Sequence, residues 1–222
     1  MPRTPAAPAG KNRDFDEESE MTYDDQRFFK AVRRDPFPGR LTAGQVSGMA
    51  ALVAGWRALG DADDPRRLAY CLATAFHETG GRMQPVRETF APSDAAAIAR
   101  LERAYASGLL PQVRRPYWRL DADGKSWFGR GLVQITHRRN YEKLAEATGV
   151  DLVGEPGRAM ELDVAVRILV IGMRDGLFSG MRLADAFDGR QADWTGARRI
   201  VNGRDRAALV AGYGRAFLAA LG

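Results

Sequence analysis

The scarcity of cysteine and histidine limits the metal and redox chemistry open to this 222-residue chain. Cys71 is the one cysteine, which excludes an intramolecular disulfide and a C-x-x-C zinc knuckle. The histidines number two, His77 and His137. A catalytic zinc needs three protein ligands, so both histidines and Cys71 would all be required, and no H-E-x-x-H motif is present. We therefore expect no metal and no cofactor.

Long apolar runs are also missing from the sequence. No stretch approaches the ~18 apolar residues that a membrane span needs. The first ten residues are rich in proline and alanine and contain no apolar signal-peptide core. We predict a protein that is made in the cytoplasm, is not stably inserted in a membrane and needs outside help to leave the cell.

Charge is distributed unevenly along the chain. The first 25 residues carry a net charge of −4 and the remainder carries +9. Low hydrophobicity, prolines and an acidic cluster predict a disordered tail over residues 1–21, followed by one domain over residues 22–222. A basic domain suits a polyanionic partner such as nucleic acid, teichoic acid or peptidoglycan. Since no nucleic-acid-reading motif accompanies the charge, we expect no nucleic-acid partner.

Helix signals dominate the domain. Thr42 and Gln45 form a capping-box pattern ahead of an apolar stripe. Asp64 followed by Pro65 is typical of a helix start, and the glycine pair at residues 80–81 predicts the end of that helix. The other predicted helices include one that Thr22 caps, followed by helices over residues 93–107, 139–148, 161–175, 194–201 and 206–220.

A small β element is predicted near the middle of the chain. Residues 117–120 and 126–136 resemble two short strands around an Asp-Ala-Asp-Gly turn. In such a strand, Gln134 and Thr136 would point to one face, where an amide and a hydroxyl can bind sugar groups or a water. An EF-hand is excluded because its twelfth position is Leu132 instead of Glu. The expected fold class is α+β, mainly α-helical, with one small central β-hairpin.

Two glutamates near the end of the third predicted helix are candidates for catalysis. Glu78 lies in AFHETGG (residues 75–81), where the negative end of the helix dipole favours the protonated form that a general acid needs. Glu88 ends MQPVRE (residues 83–88), on a returning loop. Two carboxyl groups across a cleft are what glycosidic cleavage requires. The alternative is an ordinary helix end with a glycine cap.

These motifs together resemble glycoside hydrolase family 19, the lysozyme-like chitinases, and within it the endolysin-type members of phages and prophages. The order and spacing agree over roughly residues 26–222. The resemblance implies a lysozyme-like fold with a substrate cleft. The matching segments are residues 68–80, 83–88, 128–137, 140–141, 197–203 and 205–207.

The resemblance also implies roles for individual residues. Glu78 matches the general acid, Glu88 falls where the general base is expected, and Thr136 matches a hydroxyl residue that helps to hold the attacking water. The family inverts the anomeric carbon, which needs carboxyl groups about 6.5–9.5 Å apart. The candidates for substrate binding are His77, Gln134, Asn140, Tyr141 and Asn202. For Tyr141, core packing is an alternative.

Peptidoglycan and chitin share the β-1,4 linkage, so both are candidate substrates. The endolysin-like motifs and the lack of a signal peptide favour peptidoglycan. We predict a monomeric, inverting, endolysin-like hydrolase that reaches the cell wall after holin-type release. Chitin hydrolysis is one alternative, and a non-catalytic cell-wall-binding module is another. Residues 93–116 are expected to form a scaffold helix, with a lid over the cleft as the alternative.

Overall fold

The computed structural model of the chain describes residues 25–60 and 64–222. The predicted tail and the predicted cap at Thr22 lie outside these ranges. Within them, the mainly helical α+β fold class is confirmed, and no helix is long and apolar enough to cross a bilayer. The elements are α1 (Asp25–Val32), α2 (Ala43–Leu59), α3 (Pro65–Glu78), β1 (Val86–Arg87), α4 (Asp94–Ala106), β2 (Arg130–Gly131), α5 (Arg138–Thr148), α6 (Leu162–Arg174), α7 (Leu183–Ala186) and α8 (Ala207–Leu221), with 3₁₀ turns at Glu88–Phe90, Pro156–Met160 and Gly196–Ile200.

Local hydrogen bonds set the helix ends near the site, as the sequence predicts. The Thr42 hydroxyl accepts from the backbone N–H of Gln45 at 3.1 Å, and the Gln45 side chain accepts from the Thr42 N–H at 2.8 Å. Asp64 caps α3, which ends at Glu78 before two glycines of positive φ. The helix predicted over residues 194–201 is wrong in type, because only a short 3₁₀ turn, Gly196–Ile200, forms there.

The small antiparallel β element is confirmed, but its strands pair differently from the prediction. β1 is antiparallel to β2, with Val86 opposite Gly131. Residues 117–120, predicted as the partner strand, form no strand and meet the following segment through isolated bonds such as Trp127 N–H to the Tyr117 carbonyl at 3.1 Å. The sheet therefore joins two motifs that are more than forty residues apart.

The main core lies around α3. This helix packs along α8, while α2 packs against α6, and residues 67–75 of α3 are buried throughout. The buried run includes the free thiol of Cys71. Because the buried part stops three residues before the helix ends, Glu78 emerges at the edge of the core.

A second, smaller core forms under α4. Ala97 and Leu101 pack against Trp118 and Phe128. The indole N–H of the buried Trp118 donates to Glu102 at 2.8 Å. The helical part of residues 93–116 therefore acts as a scaffold for the segment that leads into β2.

Asp94, the first residue of α4, ties this helix to both strands. It accepts from Arg87 Nε at 2.5 Å and from Arg130 Nη2 at 2.7 Å. Burial raises the pKa of Asp94. The hydrogen bonds and charges of the two arginines lower it by more than burial raises it, so the pKa lies below its usual value. The guanidinium of the buried Arg130 also stacks 3.6 Å from the centre of the Phe128 ring.

Candidate active site

Glu78 is placed by a rigid turn at the end of α3. The buried Thr79 donates its hydroxyl to the Ala75 carbonyl at 2.7 Å and accepts from the Met83 N–H at 3.0 Å. Gly80, with φ of 58°, allows the chain to reverse there. The Glu78 side chain is 17% exposed, so it is held at the surface of the core with access from solvent.

Arg198 holds the Glu78 carboxyl from the opposite end of the chain. Its Nη1 donates to Glu78 Oε1 at 2.7 Å, and its Nε donates to the Asp205 carbonyl at 3.1 Å. The Arg198 side chain is only 3% exposed. Arg198 lies in a segment that matches the family, but its contact with Glu78 was not predicted; the only sequence signal is an arginine pair between the apolar Ala197 and Ile200.

Glu88 is fixed by three hydrogen bonds at the start of a 3₁₀ turn. Its Oε1 accepts from the Tyr117 hydroxyl at 2.7 Å, and its Oε2 accepts from the Gly129 N–H at 2.7 Å. Its own N–H donates to the Gly129 carbonyl at 2.7 Å. Both carboxyl oxygens act as acceptors, which is how an ionised carboxylate bonds and how a general base must start.

The segments that carry the two glutamates meet at the surface. Phe90, two residues after Glu88, lies beside Gly80, two residues after Glu78. A Cβ on Gly80 would lie 3.4 Å from the Phe90 ring, and the Arg82 guanidinium lies 4.4 Å from the centre of the same ring. The two carboxyl-bearing segments therefore meet at Phe90, which is 49% exposed.

Gln134 supports Glu88 through Gly129. Its amide N–H donates to the Val86 carbonyl at 2.7 Å, and its φ is 53°. The prediction that Gln134 and Thr136 share one strand face is therefore wrong, because β2 ends at Gly131. A Cβ on Gly129 would lie 2.8 Å from Gln134 Oε1 and 3.3 Å from Glu88 Oε2, so a side chain there would require both of these groups to shift.

Thr136 and Asn140 lie together after this loop. Asn140 Nδ2 donates to the Thr136 carbonyl at 2.6 Å. Both residues are half-buried. Within the described ranges the Thr136 hydroxyl makes no hydrogen bond, so it is available to a water or a sugar.

His77 and Asn202 lie on the Glu78 side of the site. Burial lowers the pKa of His77, and the charges of Arg198 and Arg206 lower it further against the opposing effect of Glu78. The imidazole is therefore neutral at neutral pH and can both donate and accept a hydrogen bond. Asn202 is exposed, and its side-chain oxygen accepts from the Gly203 N–H at 2.8 Å.

Tyr141 lies in the core and does not face the site. It is fully buried, its hydroxyl donates to the Phe128 carbonyl at 2.8 Å, and it accepts from Arg130 Nη1 at 3.0 Å. Burial raises the pKa of Tyr141 to about 12. This placement agrees with the core-packing alternative and corrects its assignment to direct substrate binding.

Tyr117→Phe tests the support of Glu88. A hydrogen bond to a charged group contributes about 1.5–3 kcal/mol, so its loss is expected to lower kcat about tenfold with little change in KM. Steady-state kinetics measure both constants. Tyr105→Phe is the matched control, because both rings contact Trp118 but only Tyr117 donates to Glu88. Equal kinetics for the two variants would contradict a positioning function for Tyr117.

Over residues 25–60 and 64–222, no group of three or more histidine, cysteine and carboxylate side chains is arranged to hold a metal ion. The polar groups that bond the carboxyl groups of Glu78 and Glu88 are a guanidinium, a phenol hydroxyl and a backbone N–H.

The comparisons with known proteins agree with this geometry. The family model described as chitinase class I, of glycoside hydrolase family 19, matches residues 40–170, which is more than half of the chain. Chitinase C from Streptomyces griseus HUT6037 has a similar fold, with a TM-score of 0.59 at 17% identity over 91% of this chain and 78% of that one. A mutant of chitinase C gives 0.56 at 18% identity, over 90% and 92%. The chain therefore belongs to glycoside hydrolase family 19, the chitinase class I family.

Proposed function

We propose that this glycoside hydrolase cleaves β-1,4 bonds of bacterial peptidoglycan by inversion, with Glu78 as general acid and Glu88 as general base. The observation that carries the proposal is the different bonding of two carboxyl groups on segments that touch each other. Both oxygens of Glu88 accept hydrogen bonds, whereas only Oε1 of Glu78 does so within the described residues. Two carboxyl groups in different environments are what acid–base division of labour requires.

The acid step is assigned to the free oxygen of Glu78. Arg198 fixes Oε1, which leaves Oε2 to carry the proton and to give it to the bridging sugar oxygen as the glycosidic bond breaks. The buried guanidinium then lies beside the carboxylate that this transfer creates. Solvent access to Glu78 allows the proton to be replaced before the next turnover.

The base step is assigned to Glu88 and Thr136. Glu88 takes a proton from a water as that water attacks the anomeric carbon from the face opposite the leaving group. The free hydroxyl of Thr136 is the group that we assign to orienting this water. Gln134, Asn140, Asn202 and His77 are proposed to bind sugar hydroxyl and acetamide groups around it.

Chitin is the second candidate substrate, because the similar solved structures are those of chitinases. The endolysin-like motifs and the net charge of +9 after residue 25 favour peptidoglycan, which carries anionic groups that chitin lacks. We infer that the protein acts as a monomeric lytic enzyme on the cell wall after holin-type release.

The substrate assay compares turbidity loss of outer-membrane-permeabilised bacteria with the release of products from soluble chitin oligomers. Cell-wall lysis with slower chitin cleavage is expected, and proton NMR should show the inverted anomer as the first product. Chitin cleavage without any effect on cell walls would make the protein a chitinase. Initial formation of the retained anomer would contradict the assigned mechanism.

A further inference from the structure

A cavity of about 680 Å³ lies next to Glu88, on the side that faces the loop after α4. Tyr117 belongs both to the wall of this cavity and to the set of groups that hold Glu88, because its hydroxyl donates to Glu88 Oε1. The His137 ring packs 4.5 Å from the Tyr117 ring, centre to centre. The cavity thus shares a wall with the general base. Its lining residues are Gln112, Val113, Arg114, Arg115, Tyr117 and His137.

Two arginines give this cavity its charge. Arg114 and Arg115 are exposed, and within the described ranges neither makes a hydrogen bond or an ion pair through its side chain. No carboxylate belongs to the lining. The nearby Arg119, by contrast, pairs with Glu102 at 2.5 Å.

A third arginine adds to the positive field. Partial burial lowers the pKa of His137, and the charge of Arg139 lowers it further against the opposing effect of Glu88. The imidazole therefore stays neutral while the guanidinium groups remain charged. The wall of the cavity thus carries two cationic side chains and no carboxylate, and Glu88 lies behind Tyr117, which suits an anionic ligand that binds at the arginines.

We propose that this cavity is a subsite for the carboxylate groups of the peptide stem of peptidoglycan. The inference rests on the proposed function and extends it to substrate choice. The stem leaves the glycan through the lactyl group of N-acetylmuramic acid, so a stem on a sugar bound at Glu88 lies within reach of the adjoining cavity. Guanidinium groups bind carboxylates through paired hydrogen bonds, and chitin offers no carboxylate to them.

The test uses Arg114→Gln/Arg115→Gln in the full-length enzyme. Its kcat/KM is compared on stem-bearing peptidoglycan that lacks teichoic acid and on the same glycan after an amidase has removed the stems, which leaves the lactyl carboxylate on the sugar but takes away the carboxylates of the stem. We expect about a tenfold loss on the stem-bearing glycan, mainly through KM, with a much smaller change on the stripped glycan. The control, Arg33→Gln/Arg34→Gln, removes the same charge from the exposed segment after α1 and should keep the wild-type ratio.

A direct binding measurement separates this inference from the proposed function. A disaccharide–peptide fragment is titrated into Glu78→Gln, with and without the two arginine changes. Weaker binding in the arginine variant supports the subsite even if the wild-type enzyme cleaves no cell wall, in which case the proposed function fails alone. Equal binding, with equal kinetics on both glycans, would overturn the subsite while peptidoglycan cleavage stands. If the arginine variant lost kcat/KM only on walls that carry teichoic acid, the cavity would bind phosphate, and the proposal that it binds the peptide stem would be wrong.

Discussion

Glu78→Gln is expected to lower kcat on the polysaccharide by a factor of about 10²–10⁴, the usual contribution of a general acid. The glutamine keeps the size of the side chain, and its amide oxygen can still accept from Arg198 Nη1. What it loses is the transferable proton. The fold and the affinity for substrate should therefore remain close to those of the wild type, so that the loss falls on kcat.

The choice of glutamine follows from the burial of Arg198. Glu78→Ala would leave a guanidinium that is 3% exposed without its carboxylate partner. Leaving a buried charge without its partner in this way costs about 3–5 kcal/mol of stability. A low activity of the alanine variant would thus combine lost chemistry with partial unfolding, whereas the glutamine variant isolates the chemistry.

Glu146→Gln is the matched control for this experiment. Glu146 is an exposed residue of α5, and its side chain makes no hydrogen bond or ion pair within the described ranges. Its variant should keep the wild-type kcat. If Glu78→Gln kept cell-wall binding and the wild-type protein itself showed no turnover, the non-catalytic binding module would be the correct interpretation. If Glu78→Gln turned over at the wild-type rate, another group would have to be the acid.

Features that depend on neighbouring residues were predictable from the sequence. The Thr42 cap, the Asp64 cap and the position of Glu78 in the last helical turn each depend on hydrogen bonds over two to four residues. Such bonds form wherever the local sequence allows them. The position of Glu78 in the last turn of α3 therefore follows from the local sequence alone.

Features that depend on distant contacts were not predictable from local patterns. The turn at residues 121–124 suggested that its flanking segments pair with each other, but β2 pairs with Val86–Arg87. Arg198 reaches Glu78 across 120 positions. From the sequence, Tyr141 could line a polar cleft or pack in the core. Its hydrogen bond with the buried Arg130 shows that it packs in the core. Tertiary packing sets these positions, and periodicity carries no information about it.

Gly48→Ala is expected to destabilise the protein by about 3 kcal/mol and to reduce activity as well. Gly48 lies in the middle of α2, where the helix backbone touches the segment that leads to Glu88. A Cβ there would lie 1.7 Å from the Met83 carbonyl oxygen and 2.8 Å from the Met83 carbonyl carbon, both of them backbone atoms. Backbone cannot yield as a flexible side chain does, so the cost belongs to the upper part of the range for overpacking.

The reduced activity follows from the attachments of that segment. Gln45 Nε2 donates to the Gly81 carbonyl at 2.9 Å, and Gln84 Nε2 donates to the Gly44 carbonyl at 2.7 Å. These bonds hold residues 81–84 against the first half of α2. A shift forced at Met83 would pass along the chain to Glu88, five residues later, and misplace the base.

Gly212→Ala is the control that separates helix propensity from contact. Gly212 lies in α8, is exposed, and a Cβ there would meet no atom within 4 Å. Alanine in this position should raise stability by about 0.5–1 kcal/mol through helix propensity and the lower entropy of the unfolded chain. Both variants make the same chemical change in the middle of a helix, so their difference measures the contact between Gly48 and Met83.

Thermal unfolding and kinetics give the two readouts. With about 2–4 °C per kcal/mol for a chain of this size, Gly48→Ala should unfold roughly 10 °C below the wild type, and Gly212→Ala slightly above it. Activity should be measured well below both midpoints, where Gly48→Ala is still folded. A Gly48→Ala protein as stable and as active as Gly212→Ala would show that α2 does not set the position of Glu88, and the base would then depend on Gly129 and Tyr117 alone.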